Sequence, residues 1–197
     1  MDGNKTFIIC GNFRGGTTAV AQILDRLGIP MGEDMDPNGN YEDLEFQQLL
    51  IHESVDMEKL ADLIKKRNEK YATWGFKFPG THVHMPGIVD SFRNPHVLFV
   101  FRDPYAVADS ERRRVDRPLY EMMERTVEYN LHMTKLLQQL ECPALPISFE
   151  QLLLRPQAII DGLLDFVQVS LGWWDRRRLI MGIRLKKDSA SYGYGKK

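Results

Sequence analysis

The sequence predicts one α/β domain with a mainly parallel sheet flanked by helices. Three observations predict it. Two short runs, 6–10 and 97–101, are apolar and β-branched or aromatic, and the second lacks the alternation of a strand with one wet face, as a parallel strand covered on both sides does. Stretches with apolar residues at helical spacing separate the strand-like runs, which is the βα alternation of a parallel sheet. Finally, 197 residues suit one domain, long enough to bury roughly 70% of the unfolded surface.

Thr6–Cys10 reads as a buried strand that stops at Gly11. Gly11–Gly16 is a glycine-bearing loop. After it, Ala19, Val20, Ile23, Leu24 and Leu27 recur at helical spacing, with Gly28 as the C-terminal signal. Pro37–Asn40 is turn chemistry. Helices are expected from Leu44 to about His52 and from Met57 to about Tyr71, and a strand over Thr73–Phe78 ended by Pro79-Gly80. Asp103-Pro104 supplies an N-cap acid and an N1 proline after the 97–101 strand. A long helix covers about Leu119–Leu140, a short strand Ala144–Ile147, and Ser148 with Gln151 three residues on forms a capping box. Helices continue past Pro156 to about Val167 and from about Trp173 to Met181. Residues 186–197 are expected to form a mobile tail or flap.

With hydrophobic residues at 43% and charged residues at 27%, the chain is not wholesale disordered. A formal charge of −1 offers no bulk positive field for nonspecific nucleic-acid binding. Two cysteines, Cys10 and Cys142, make no disulfide framework, and no Cys/His spacing suits zinc. No apolar run is of membrane-spanning length. The expectation is a cytoplasmic protein with no nucleic-acid or membrane partner. Charge is nevertheless uneven. Residues 33–62 carry ten acids and only Lys59 as a base, whereas 176–197 carry eight bases and only Asp188 as an acid. Two solvated faces, or a basic tail folding over an anion, both fit.

Gly11-Asn12-Phe13-Arg14-Gly15-Gly16-Thr17-Thr18 has the skeleton of a P-loop, G-x-x-x-x-G-x-T, between a buried strand and an apolar helix. In that arrangement backbone N–H groups curl around a phosphate at a helix N-terminus. The lysine that a nucleotide hydrolase or kinase places before the last Ser/Thr is replaced by Thr17, and the cation sits earlier, at Arg14. A single 5′-phosphate fits the N–H groups with the Thr17 and Thr18 hydroxyls. Arg14 would face whatever that phosphate is bonded to. A plain glycine turn with Thr17 as helix cap is the structural alternative. Arg102 follows the 97–101 strand, where ligands of open α/β sheets gather, and Ser110 comes eight residues later. A guanidinium fork and a hydroxyl suit a phosphate dianion. Arg112, Arg113 and Arg114 follow at about 100° per helical residue, so one of them is expected to face the ligand.

The two loops resemble those of sulfotransferases that use 3′-phosphoadenosine 5′-phosphosulfate (PAPS). Phe13–Thr18 is similar to the family's R-S-G-T-T loop, with Gly15 where the family usually has Ser. Arg102–Ser110 is similar to its R-x-P-x-x-x-x-x-S element, which grips the 3′-phosphate. Ile147–Leu153 resembles its strand-to-helix corner, and Asn38–Asp43 an N-G-Y-x-E segment of bacterial members. The resemblance spans about residues 6–167 and implies a P-loop-type nucleotide-binding fold over a single domain, 1–197. It implies a cofactor site of Arg14, Gly15, Gly16, Thr17, Thr18, Arg102 and Ser110, with Lys186 and Lys187 as a loose match to the basic stretch that closes over the cofactor.

What the resemblance implies chemically is in-line transfer of a sulfuryl group from PAPS to a hydroxyl or amine of a small-molecule or carbohydrate acceptor, leaving 3′,5′-ADP. Charge develops on the bridging oxygen, and Arg14 would stabilise it. No metal is demanded, because the donor has fewer charges to bridge than a nucleoside triphosphate. The acceptor needs a base. Lys77 matches the family's K-T-H lysine, but Pro79 stands in the histidine's place. Glu42, with Glu33 and Glu45 behind it, is the leading candidate, and His82 and His84 are the others. Lys77 is either a contact to sulfate or acceptor, or a strand-end surface residue. Tyr41, Trp173, Trp174 and Tyr192 are candidates to stack on adenine or line the acceptor pocket. Two other classes stay open: a P-loop kinase of small molecules or nucleotides, and a non-catalytic nucleotide-binding protein of the same fold.

Overall fold

A computed structural model describes residues 4–189, with side chains as far as Ile183. Four strands form one sheet: β1 (Thr6–Gly11), β2 (Trp74–Lys77), β3 (Pro95–Phe101) and β4 (Ala144–Ser148). Their order is β2-β1-β3-β4 and every pairing is parallel. Ile8 lies between Phe76 on one side and Val97 on the other, and Val100 pairs with Ile147.

The sheet is covered on both faces, which is why its strands need no polar alternation. Phe7 and Ile9 of β1 and Leu98 and Val100 of β3 point into one core with α1 (Thr17–Arg26), α7 (Phe149–Leu154), α8 (Pro156–Val167) and α9 (Trp173–Ser189). Ile8, Cys10, Phe76 and Phe99 point the other way, against α2 (Leu44–Leu50), α3 (Met57–Lys70) and α6 (Leu119–Gln139). On that face Phe46 stacks on Phe76 at 4.0 Å. A short helix at Met85–Ile88, α4, and 3-10 turns at Pro79–Val83 and Val89–Ser91 complete the 79–91 connection. Cys10 and Cys142 are both free.

Local signals start and stop the helices as expected. Gly28, at φ 83°, follows the last turn of α1. Asp103 caps α5 (Pro104–Arg112) by accepting from the Ala106 N–H at 2.8 Å, and Ser148 caps α7 by accepting from the Gln151 N–H at 3.2 Å. The C-terminal end differs from expectation. Helix α9 passes Met181 and runs to Ser189, because Leu179, Ile180 and Ile183 are anchored in the first core. The expected tail therefore loses residues 186–189 to helix, and its remainder, 190–197, lies outside the described residues. No helix among the described residues is long and apolar enough to cross a membrane.

The strand order positions the site. The chain leaves β1 for β2 on one side and then crosses to β3 on the other. The crevice beyond the carboxyl ends of β1 and β3 is thus a topological switch point, where open α/β sheets bind ligands.

Candidate active site

The first loop leaves β1 at Gly11, where a Cβ would lie 2.7 Å from the Val100 carbonyl oxygen of the neighbouring strand. A tight turn follows. The Gly15 N–H donates to the Asn12 carbonyl at 2.9 Å, and Arg14 occupies the third position with φ 62°. A Cβ on Gly15 would stand 2.6 Å from the Asn12 oxygen, so the closed turn demands glycine. Gly16, in the left-handed conformation at φ 89°, starts α1 without a side-chain cap. The Ala19 N–H turns back to the Gly16 carbonyl at 3.0 Å, and no side chain caps the N–H groups of the first turn. Thr17 is buried, and the Thr18 hydroxyl is committed to the Asn40 carbonyl at 2.9 Å. Asn12 ties the loop to α6 through Asn130 at 2.7 Å.

The second loop meets the first directly. Arg102 donates from Nη1 to the Arg14 carbonyl at 2.7 Å, and its guanidinium carbon lies 4.9 Å from the centre of the Phe149 ring. Its Nε is buried with no hydrogen-bond partner among the described residues. Arg14 donates from Nε to the Ser110 hydroxyl at 3.0 Å. Burial and the nearby Arg114, Arg102 and Arg113 charges hold the Arg14 pKa below its ordinary value. Like charges gathered this closely raise the local positive potential. The three consecutive arginines depart from expectation. All of Arg112, Arg113 and Arg114 line the cleft, because α5 ends at Arg112 and the 100° spacing of a helix no longer applies beyond it. Arg112 and Arg113 pair with Asp109.

Lys77 ends β2 inside the protein, 2% exposed, which overturns the surface-lysine alternative. Its Nζ donates to Glu42 Oε1 at 2.7 Å and to the Asn40 carbonyl at 2.9 Å. Burial pushes the Lys77 pKa down, with the Glu42 carboxylate opposing. Glu42 Oε2 accepts from the Gln47 amide at 3.0 Å, so both carboxylate oxygens are held. Glu33 and Glu45, expected behind Glu42, are instead drawn with Asp43 onto the buried Arg67.

His82 and His84 are not brought to the cleft. The 3-10 turn after Pro79 buries His82 against Tyr129 and His132, with Nδ1 3.0 Å from the Pro79 carbonyl. His84 Nε2 sits 3.0 Å from the Leu50 carbonyl. Tyr41 donates to Asp25 at 2.9 Å and packs on the first core, and Trp173 and Trp174 are exposed against each other. The side chains of Lys186 and Lys187, and all of Tyr192, lie outside the described residues.

The cleft has a volume of about 1390 Å³ and takes in Arg14, Gly16–Thr18, Glu42, Lys77, Arg102 and Ser110. Phe149 also lines it. The only pointer to it in the sequence is its position directly after the capping Ser148.

A sulfotransferase family model matches residues 32–175. No curated protein matches this sequence. Among solved structures, a mouse sulfotransferase in complex with PAP aligns at TM-score 0.60 and 11% identity, over 95% of this chain and 67% of the other. A sulfotransferase from Mycobacterium avium aligns at 0.58 and 12%, over 98% and 69%. The sulfotransferase domain of a Synechococcus olefin synthase aligns at 0.57 and 17%, over 91% and 77%. At these identities the likeness is one of fold.

Proposed function

The chain belongs to the sulfotransferase family, and from that premise we propose that it moves a sulfuryl group from PAPS to a hydroxyl or amine of a small-molecule or carbohydrate acceptor. The observation that carries this reading is the direct meeting of the two loops: Arg102 on the Arg14 carbonyl, and Arg14 on Ser110. Two anion-binding elements this close suit the two ends of one doubly phosphorylated adenosine. The fit is supported by the buried, unpartnered Arg102 Nε and by the crowding of guanidinium groups around Arg14. The mouse neighbour was solved with PAP.

In this reading the uncapped first turn of α1 and Gly16 hold the 5′-phosphate end, while Arg102 and Ser110 hold the 3′-phosphate. PAPS supplies the activated sulfuryl group. As the acceptor oxygen or nitrogen bonds to sulfur, the bond from sulfur to the bridging oxygen breaks, and the negative charge left on that oxygen is met by Arg14. The acceptor proton passes to Glu42, whose carboxylate Lys77 and Gln47 hold in place.

The test is transfer of ³⁵S from labelled PAPS across a panel of hydroxyl and amine acceptors. Wild type is expected to label at least one acceptor, and Arg14→Ala to lower the rate by on the order of 10²–10³ while still binding 3′,5′-ADP. Binding without transfer in wild type would make the chain a non-catalytic relative. Thermal stabilisation by ATP·Mg²⁺ but not by 3′,5′-ADP would make it a kinase.

A further inference from the structure

Trp173 and Trp174 open α9 on the surface, 61% and 70% exposed, and the cleft uses neither. Their rings meet edge to face at 4.5 Å, and the Arg177 guanidinium carbon lies 5.2 Å from the centre of the Trp173 ring. Single exposed apolar side chains are ordinary, but these belong to a row. Met181, also exposed, follows Trp174 by seven residues, two turns along the same side of the helix and about 10 Å away. Arg177 and Arg178, three and four residues past Trp174, are exposed and flank that row. The inward side of α9 has its partners: Leu179, Ile180 and Ile183 sit in the first core, and Arg176 pairs with Asp161. The outward side thus presents an apolar row between cations to solvent.

Charge selects the occupant. Residues 176–187 hold six bases and no acid, and the acid that precedes them, Asp175, stands 3.9 Å from Arg178. A second copy of this side would bring like charges together, which opposes self-pairing. An anionic bilayer attracts them, and tryptophan rings settle at its headgroup level, apolar body inward and indole N–H toward water. We propose that the outward side of α9 docks the protein on an anionic phospholipid surface. Trp173, Trp174 and Met181 enter the headgroup boundary, and Arg177 and Arg178 meet the lipid anions. No helix among the described residues is long and apolar enough to cross a bilayer, and lying on one does not require it. The proposal departs from the expectation of no membrane partner, which rested on the lack of a spanning run. It is independent of the reaction the cleft performs.

The experiment sediments the full chain with vesicles of phosphatidylcholine alone and of phosphatidylcholine with about 25% phosphatidylserine, which gives the surface its negative potential. Wild type is expected to partition at least about tenfold more strongly onto the anionic vesicles, since each arginine near such a surface contributes roughly fivefold. Added salt should weaken the binding. Tryptophan emission should move to shorter wavelength on binding; Trp74 is already buried, so the shift reports Trp173 and Trp174. The double variant Trp173→Ala, Trp174→Ala should lose the binding, and Arg177→Gln, Arg178→Gln should lose the preference for phosphatidylserine. Equal partitioning of wild type onto the two vesicles, no partitioning onto either, or undiminished binding by the tryptophan variant would overturn the proposal. If that variant does not fold, the wild-type emission decides: binding with unchanged emission would overturn it. So would a dimer, seen by sedimentation without vesicles, that the tryptophan variant abolishes, since the occupant would then be a second copy.

Discussion

Gly16 accepts no side chain. Its φ of 89° is left-handed, and a Cβ would overlap the Phe149 ring. Gly16→Ala should therefore cost at least about 2 kcal/mol of stability, read as a lower urea midpoint at unchanged slope. Lys77 and Glu42 make the opposite kind of site, a buried pair that each partner keeps tolerable. Lys77→Met strands the carboxylate and should cost about 3 kcal/mol, while adding Glu42→Gln should recover part of the loss. A double variant no more stable than Lys77→Met would mean that the unpaired Glu42 carboxylate carries no penalty. His82 shows a different consequence of burial, which holds its pKa at about 4 against an ordinary 6.5. Between those values the unfolded chain binds the proton and the folded chain does not. Stability is therefore full above about 6.5 and falls as pH drops toward 4, by about 3 kcal/mol. A His82→Gln variant should show a flatter pH–stability profile across that window. That Arg14 meets Arg102 and Ser110 was expected from two loops that each follow a buried strand of one parallel sheet. The burial of Lys77 and the withdrawal of His82, Glu33 and Glu45 were not, since partners such as Arg67 and His132 come from elements distant in the chain.

At the scale of elements, strands and most helices followed from apolar runs, caps and breakers. Asp103-Pro104 and Ser148 ended up as the sequence implied because a cap is a contact of two or three residues. Two boundaries were illegible for physical reasons. α5 stops at Arg112 with no glycine or proline to mark it. α9 continues among basic residues because its apolar anchors dock on a core assembled by other elements. Helix α8 offers a test of propensity free of packing. Gly162 is interior to it, and a Cβ there meets nothing within 4 Å. Gly162→Ala should stabilise the protein by about 0.5–1 kcal/mol, raising Tm by about 1–4 °C. A lower Tm would show that the helix needs glycine for a reason other than space.

For the whole molecule, the parallel sheet was legible and its strand order was not, because nothing local in β2 says which side of β1 it takes. That order places the loop after β1 beside the loop after β3, and brings residues 88 apart into one hydrogen bond between Arg14 and Arg102. The account's central claim is that these loops grip the two phosphates of a single nucleotide. The most direct measurement is calorimetric titration of wild type and Arg102→Ala with 3′,5′-ADP and with 5′-AMP. The account predicts that wild type binds the bisphosphate at least about tenfold more tightly, as one charge-assisted hydrogen bond to the second phosphate would give, and that the variant loses the difference. Equal affinities in wild type, or a difference that persists without Arg102, would contradict it.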